Sequence, residues 1–164
     1  METKTYFTME ELIYSSTALR EGWRNKTTRE AEENLLMLRA HVLDPTREAM
    51  GIPIHVTSGF RTKQLNKELG GSETSQHMKG EAADISTLKI DKNIEMFRYI
   101  RDNLVFDQLI LENEGQWIHV SFVWRNMRKN RGQVLEIDNG KTQWKGNAAQ
   151  HREKERKEAE NENC

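Results

Sequence analysis

Apolar residues recur along this chain with two different spacings, and each spacing predicts an element. Ala31, Leu35, Leu38 and Val42 fall at i, i+4, i+7 and i+11, the pattern of one buried helix face. Thr27-Thr28-Arg29-Glu30 reads as the capping box that opens this helix. Asp44-Pro45 is expected to end it and to start a short helix, with Asp44 as N-cap, Pro45 at the first helical position and Gly51 at the close. Upstream, Thr8-Met9-Glu10-Glu11 is another capping box, flanked by Phe7 and Leu12 as a hydrophobic staple, so a short helix should run to about Ser15-Ser16. Thr62 to Leu69 reads as a helix stopped by Gly70-Gly71, and Ile90, Ile94, Phe97 and Ile100 mark a further amphipathic one.

The other spacing is two. Ile52, Ile54 and Val56 suggest a strand that Pro53 assigns to a sheet edge. Strands are also expected within Glu81 to Ser86, Leu104 to Glu112 and Trp117 to Val123. Val134 to Ile137 and Thr142 to Trp144, joined by Asp138-Asn139-Gly140, form a hairpin. Ser72 to Gly80 is a polar loop containing His77. Helices first, then strands mixed with helices, predict an α+β fold with a small, mainly antiparallel sheet flanked by helices.

Composition narrows this picture. The 164 residues carry 25 basic and 26 acidic side chains, a net charge of −1, which argues against bulk electrostatic binding of nucleic acid. Charged residues make up 31%, high enough to raise the question of disorder, yet four Trp, five Phe and three Tyr argue for a packed core. The excess polarity concentrates at the end. Residues 150–164 hold four basic and five acidic residues and no large apolar one, and read as a disordered or frayed helical tail after a single domain over 1–149. The one cysteine, Cys164, excludes an intrachain disulfide framework and a Cys-based zinc site. No apolar run approaches a membrane span, and Met1-Glu2-Thr3-Lys4 lacks the layout of an export signal, so synthesis in the cytoplasm is expected. The sequence does not give the oligomeric state, and a monomer is favoured.

Three residues have the spacing of metal ligands. His77 and Asp84 lie seven apart with Gly80 between them, where a tight turn can fold a loop histidine back beside a strand aspartate. In Trp117-Ile118-His119-Val120-Ser121-Phe122, alternation puts His119 on the face opposite Ile118, Val120 and Phe122. Two imidazoles and one carboxylate suit Zn²⁺, one per chain, with a fourth position open to water as in catalytic sites. Such a site keeps a net charge of about +1 and can acidify that water. His41 and His55 read as structural. Arg125, Arg128, Lys129 and Arg131, near Trp124, read as a solvated loop, with an anionic cell-wall polymer as the alternative partner.

Ser58-Gly59-Phe60-Arg61, then Ser75-x-His77-x-x-Gly80-x-Ala82-x-Asp84, then Trp117-x-His119-Val120-Ser121 resemble the zinc D-Ala-D-Ala carboxypeptidase-like metallopeptidases. That superfamily also holds D-Ala-D-Ala dipeptidases, phage peptidoglycan endopeptidases and hedgehog domains. The resemblance spans about Phe7 to Trp144. It implies zinc on His77, Asp84 and His119, Arg61 over the substrate carbonyl as oxyanion stabiliser, and Ser75 and Trp117 at the substrate. Many members place a catalytic glutamate three residues before the last histidine, where this chain has Gln116, which cannot take a proton from water at neutral pH. Glu112, at the end of the preceding strand, is the expected base, with Glu114 second. The implied activity is hydrolysis of peptidoglycan stem peptides, of carboxypeptidase or endopeptidase type, in a host or a phage lysis enzyme released to the cell wall. The alternatives are a zinc-stabilised binding module without turnover and a phage structural protein carrying this domain.

Overall fold

The computed structural model describes residues 4–163; Cys164 and the first three residues, on which the expected lack of an export signal mostly rests, lie outside that range. The chain begins with helices α1 (Met9–Ile13) and α2 (Ser16–Arg20). At α1 the capping box forms as the sequence dictates, Thr8 accepting from the Glu11 N–H while the Glu11 carboxylate accepts from the Thr8 N–H. The staple residues Phe7 and Leu12 are both buried.

Helix α3 (Arg29–Leu38) is capped by Thr28, one residue later than the sequence pattern suggests; Thr27 instead donates to Glu32. Its face of Ala31, Leu35, Leu38 and Val42 is buried as the spacing requires. The expected break at Asp44-Pro45 is corrected. The chain passes through a π-turn (Arg39–Leu43) directly into α4 (Asp44–Met50), and Asp44 is helical rather than a cap. In this wider turn the Asp44 N–H reaches back to the Arg39 carbonyl, shifting the ladder just where Pro45 has no N–H to give. The freed Asp44 carboxylate accepts from the Tyr6 N–H at 2.9 Å. Gly51 closes α4 in the left-handed region, as expected.

Six strands form one sheet: β1 (His55–Ser58), β2 (Ala82–Ser86), β3 (Gln108–Glu112), β4 (Trp117–Ser121), β5 (Gln133–Asp138) and β6 (Lys141–Asn147), in the order β1-β2-β4-β3-β5-β6. Every pairing is antiparallel except β3 with β5. The fold is α+β. Strand β1 is an edge, and Pro53 stays outside it. Helices α5 (Lys63–Glu68) and α6 (Ile90–Asn103) follow β1 and β2. One sheet face, with Ala83, Ile85, Leu109, Ile118, Val120 and Val134, packs on Leu35, Leu38, Met96, Phe97 and Ile100 of the helices. Each large side chain buried there contributes about 1.5–3 kcal/mol. The other face is left for chemistry. No helix among the described residues is long and apolar enough to cross a membrane.

The segment expected as a frayed or disordered tail is a helix, α7 (Ala148–Glu162). Its anchor is His151, buried with its ring edge-on between Phe97 and Trp144. Arginine can only donate, so His151 Nδ1 accepts from Arg101 at 2.8 Å and Nε2–H donates to Glu136 at 2.7 Å. A polar composition hid one fully satisfied buried contact.

Candidate metal centre

Strand register assembles the site. Asp84 on β2 lies directly opposite His119 on β4, and His119 lies opposite Ile110 on β3. Directly opposed residues share a sheet face, so a row runs Ser58, Asp84, His119, Ile110, Leu135, Lys145 across all six strands. The next row on this face pairs Trp117 with Glu112. The alternation read from Trp117 to Phe122 therefore holds through the strand.

His77 reaches this row from a short 3₁₀ turn (Gln76–Lys79) between α5 and β2. The turn ends at Gly80, which has φ of 71° and packs so close to α3 that a Cβ would collide with the Ala31 carbonyl. Ser75 caps the turn, accepting from the His77 N–H at 3.3 Å, and buried Asn34 donates to the Lys79 carbonyl at 2.8 Å. His77 Nδ1 lies 2.7 Å from the carbonyl oxygen of Gly59. A carbonyl only accepts, so Nδ1 carries the proton and Nε2 presents its lone pair to the centre.

There, Asp84 Oδ1 lies 3.3 Å from His77 Nε2 and 3.1 Å from His119 Nδ1. The three side chains offer ligand atoms within 4.8 Å of one another. Asp84 is the member common to both contacts. Its second oxygen, Oδ2, accepts from Arg61 Nη2 at 3.1 Å, and Arg61 Nε donates to Ser58 at 2.8 Å. The guanidinium is thus held on Asp84 itself, a contact the sequence reading did not contain. Burial lowers the Arg61 pKa and Asp84 opposes this. The backbone on either side of Arg61 is held by Asn25, which accepts from the Thr62 N–H and donates to the carbonyls of Phe60 and of Ile13.

Glu112 is half-buried, and burial first, then the charge of Asp84, push its carboxyl above the ordinary range while His119 opposes. Glu114 is not brought to the centre. Three successive positive-φ residues, Asn113, Glu114 and Gly115, turn the chain so that Glu114 is exposed and lines a different hollow with Glu136 and Asp138. The Gln116 side chain is also exposed, and its backbone carbonyl accepts from Ser86 and Asn93.

A family model described as Peptidase M15 matches residues 5–121, well over half the chain. The chain belongs to the Peptidase M15 family. M15 proteins are zinc-dependent metallopeptidases, and the donor set of this M15 chain fits that metal. A neutral Nε2 lone pair facing a carboxylate oxygen sets two acceptors against each other, an arrangement that a cation between them relieves. Tetrahedral zinc with bonds near 2.0–2.1 Å separates its ligands by about 3.3 Å, close to the spacings found here. The matched region of the M15 chain ends at Ser121 and contains every residue of the centre. No curated protein matches the sequence.

Proposed function

We propose that this protein hydrolyses peptidoglycan stem peptides as a zinc-dependent peptidase of the D-Ala-D-Ala carboxypeptidase or endopeptidase type. The observation that carries the reading is the convergence of His77 Nε2 and His119 Nδ1 on one oxygen of Asp84, with Glu112 on the same sheet face. His77, Asp84 and His119 would hold the zinc, one per chain. When bound, zinc acidifies water and polarises the scissile carbonyl.

The rest falls to the protein's own side chains. Glu112 takes the proton of the attacking water and returns it to the leaving amine; its raised pKa makes it a better base than an exposed glutamate. Arg61 fixes Asp84 through Oδ2, leaving Oδ1 toward the imidazoles, and the other N–H groups of its fork can serve the developing oxyanion. The Ser75 oxygen accepts from His77, so its hydroxyl proton remains to be donated to substrate. Trp117, paired with Glu112 across the strands, walls the cleft beside the base.

Purified protein should bind one zinc per chain, cleave muropeptides, and lose the activity in chelator until zinc is restored. A folded, zinc-loaded protein inert on every cell-wall peptide overturns the reading and leaves a binding module in its place.

A further inference from the structure

All three nitrogens of the Arg61 guanidinium have a protein acceptor. Nε and Nη2 meet Ser58 and Asp84, which face each other across β1 and β2. Nη1 donates to Asn66 Oδ1 at 3.4 Å. Asn66 lies on α5, five residues beyond Arg61, and is only 3% exposed.

The Asn66 amide can sit only one way round. Its Nδ2 donates to the Ser72 carbonyl at 2.8 Å, and a carbonyl can only accept. Arginine can only donate, so Oδ1 is the atom that faces Nη1. An aspartate could not serve Ser72, and an apolar residue could serve neither partner. The space behind the amide is closed as well: a Cβ on Gly71 would collide with Asn66 Oδ1, and the Gly71 N–H donates to the Asn66 carbonyl at 2.8 Å. The Ser72 carbonyl also accepts from the Ser75 N–H at 3.0 Å, and the Arg61 N–H donates to the His77 carbonyl at 3.1 Å. One buried amide thus joins Arg61 to the loop that leads into the His77 turn.

We propose that Asn66 is a positioning residue for hydrolysis, fixing the plane of the Arg61 guanidinium through Nη1, an inference that rests on the peptidase reading above. A guanidinium has five N–H donors. Ser58, Asp84 and Asn66 take three of them, leaving one on each terminal nitrogen for the developing oxyanion. Ser58 and Asp84 hold Nε and Nη2; without Asn66 the group can pivot about those two bonds, and the remaining donors lose their direction. Donors held in place before the reaction need no reorganisation in the transition state, so their loss is felt in kcat and not in KM.

The test uses zinc-loaded protein and a muropeptide that it cleaves. In Asn66→Ala, kcat per bound zinc should fall about 10–100-fold with KM unchanged. Gly71→Ala, which presses on the Asn66 amide, should lower kcat in the same way. In the double variant Gly71→Ala should deepen the loss by less than about twofold, because the oxygen it displaces is gone. A merely structural role would instead lower the folded fraction in each variant and compound in the double. NMR of the same isotope-labelled proteins without substrate reads the arginine itself: the Nη1 hydrogens of Arg61 should give separate signals in the parent and merge in Asn66→Ala as rotation is freed. Parent kcat per zinc in Asn66→Ala, losses that compound in the double variant, or Nη1 signals that are already merged in the parent or stay separate in the variant overturn the proposal. If Asn66→Ala does not fold, Gly71→Ala carries both readouts. If the parent cleaves no cell-wall peptide, the peptidase reading fails and the NMR comparison alone decides whether Asn66 positions Arg61.

Discussion

Nδ1 of His77 donates to the carbonyl oxygen of Gly59 across 2.7 Å, and this one bond fixes which nitrogen faces Asp84. Gly59 has no room for a side chain: a Cβ there would collide with the Leu12 carbonyl of α1. The Phe60 N–H also donates to that carbonyl, so α1 and the segment holding Gly59 are tied together at 2.8 Å. Helix α1 thereby braces the segment whose carbonyl sets the tautomer of a candidate ligand.

Gly59→Ala should displace this segment. Zinc affinity should fall about 10–100-fold, the usual effect of losing a partner that orients a metal-binding histidine. Stability should drop by about 1–3 kcal/mol. Zinc titration with a competing chelator and urea denaturation read the two effects; a variant unchanged in both would show that α1 does not brace the centre.

Glu112→Gln preserves shape and removes the proton acceptor. It should retain stoichiometric zinc while turnover falls by about 10²–10⁴-fold. Metal content and hydrolysis are measured on one preparation. Undiminished hydrolysis would transfer the role of base elsewhere.

Arg61→Lys keeps the positive charge but loses the fork that spans Ser58 and Asp84. Weaker zinc binding, by about tenfold, is expected even without substrate. If zinc affinity is unchanged and only turnover falls, Arg61 acts on the substrate alone.

The α7 clasp gives a pH dependence of stability. The hydrogen bond from His151, with Lys154 in support, holds Glu136 below its ordinary value of 4.5. Burial would raise Glu155, but its bonds to Arg101 and Arg98 outweigh this and lower it from 4.5. Carboxyls depressed in the folded state contribute stability that is fully present above the unfolded value and lost as pH falls through the folded ones. Exchange protection of α7 amides should therefore hold at pH 6–7 and collapse below about pH 4.5, and His151→Ala should lower stability by about 2–4 kcal/mol at pH 7. Protection that is flat down to pH 3 would contradict the clasp.

Elements governed by neighbours in sequence were legible before the structure. The Thr8 box, the α3 face and the Gly51 close depend on residues within one or two turns, and they form as the pattern requires. The turn at Gly80 and the alternation around His119 are local too, but it was the family resemblance of the motifs that joined His77, Asp84 and His119 into one group before the strands were seen to bring them together. What sequence concealed depends on distant approach. The run through Pro45 needs a π-turn; α7 is anchored by Arg101, 50 residues from His151; and Arg61 meets Asp84 across 23 residues. Asn25 and Gly59 carry no chemical signature of their own, and their importance lies in which backbone groups come within their reach.

The parallel pairing of β3 with β5 has a consequence for how the protein is made. Until Gln133–Asp138 arrives, the strand that ends in Glu112 is a bare sheet edge, open to pairing with any passing chain. The same six residues that cover this edge also receive His151 through Glu136. A nascent or shortened polypeptide lacking them would have the His77, Asp84 and His119 strands and turn in hand but a self-adhesive flank beside the base. Protection of this edge thus arrives only after the strands that carry the candidate ligands.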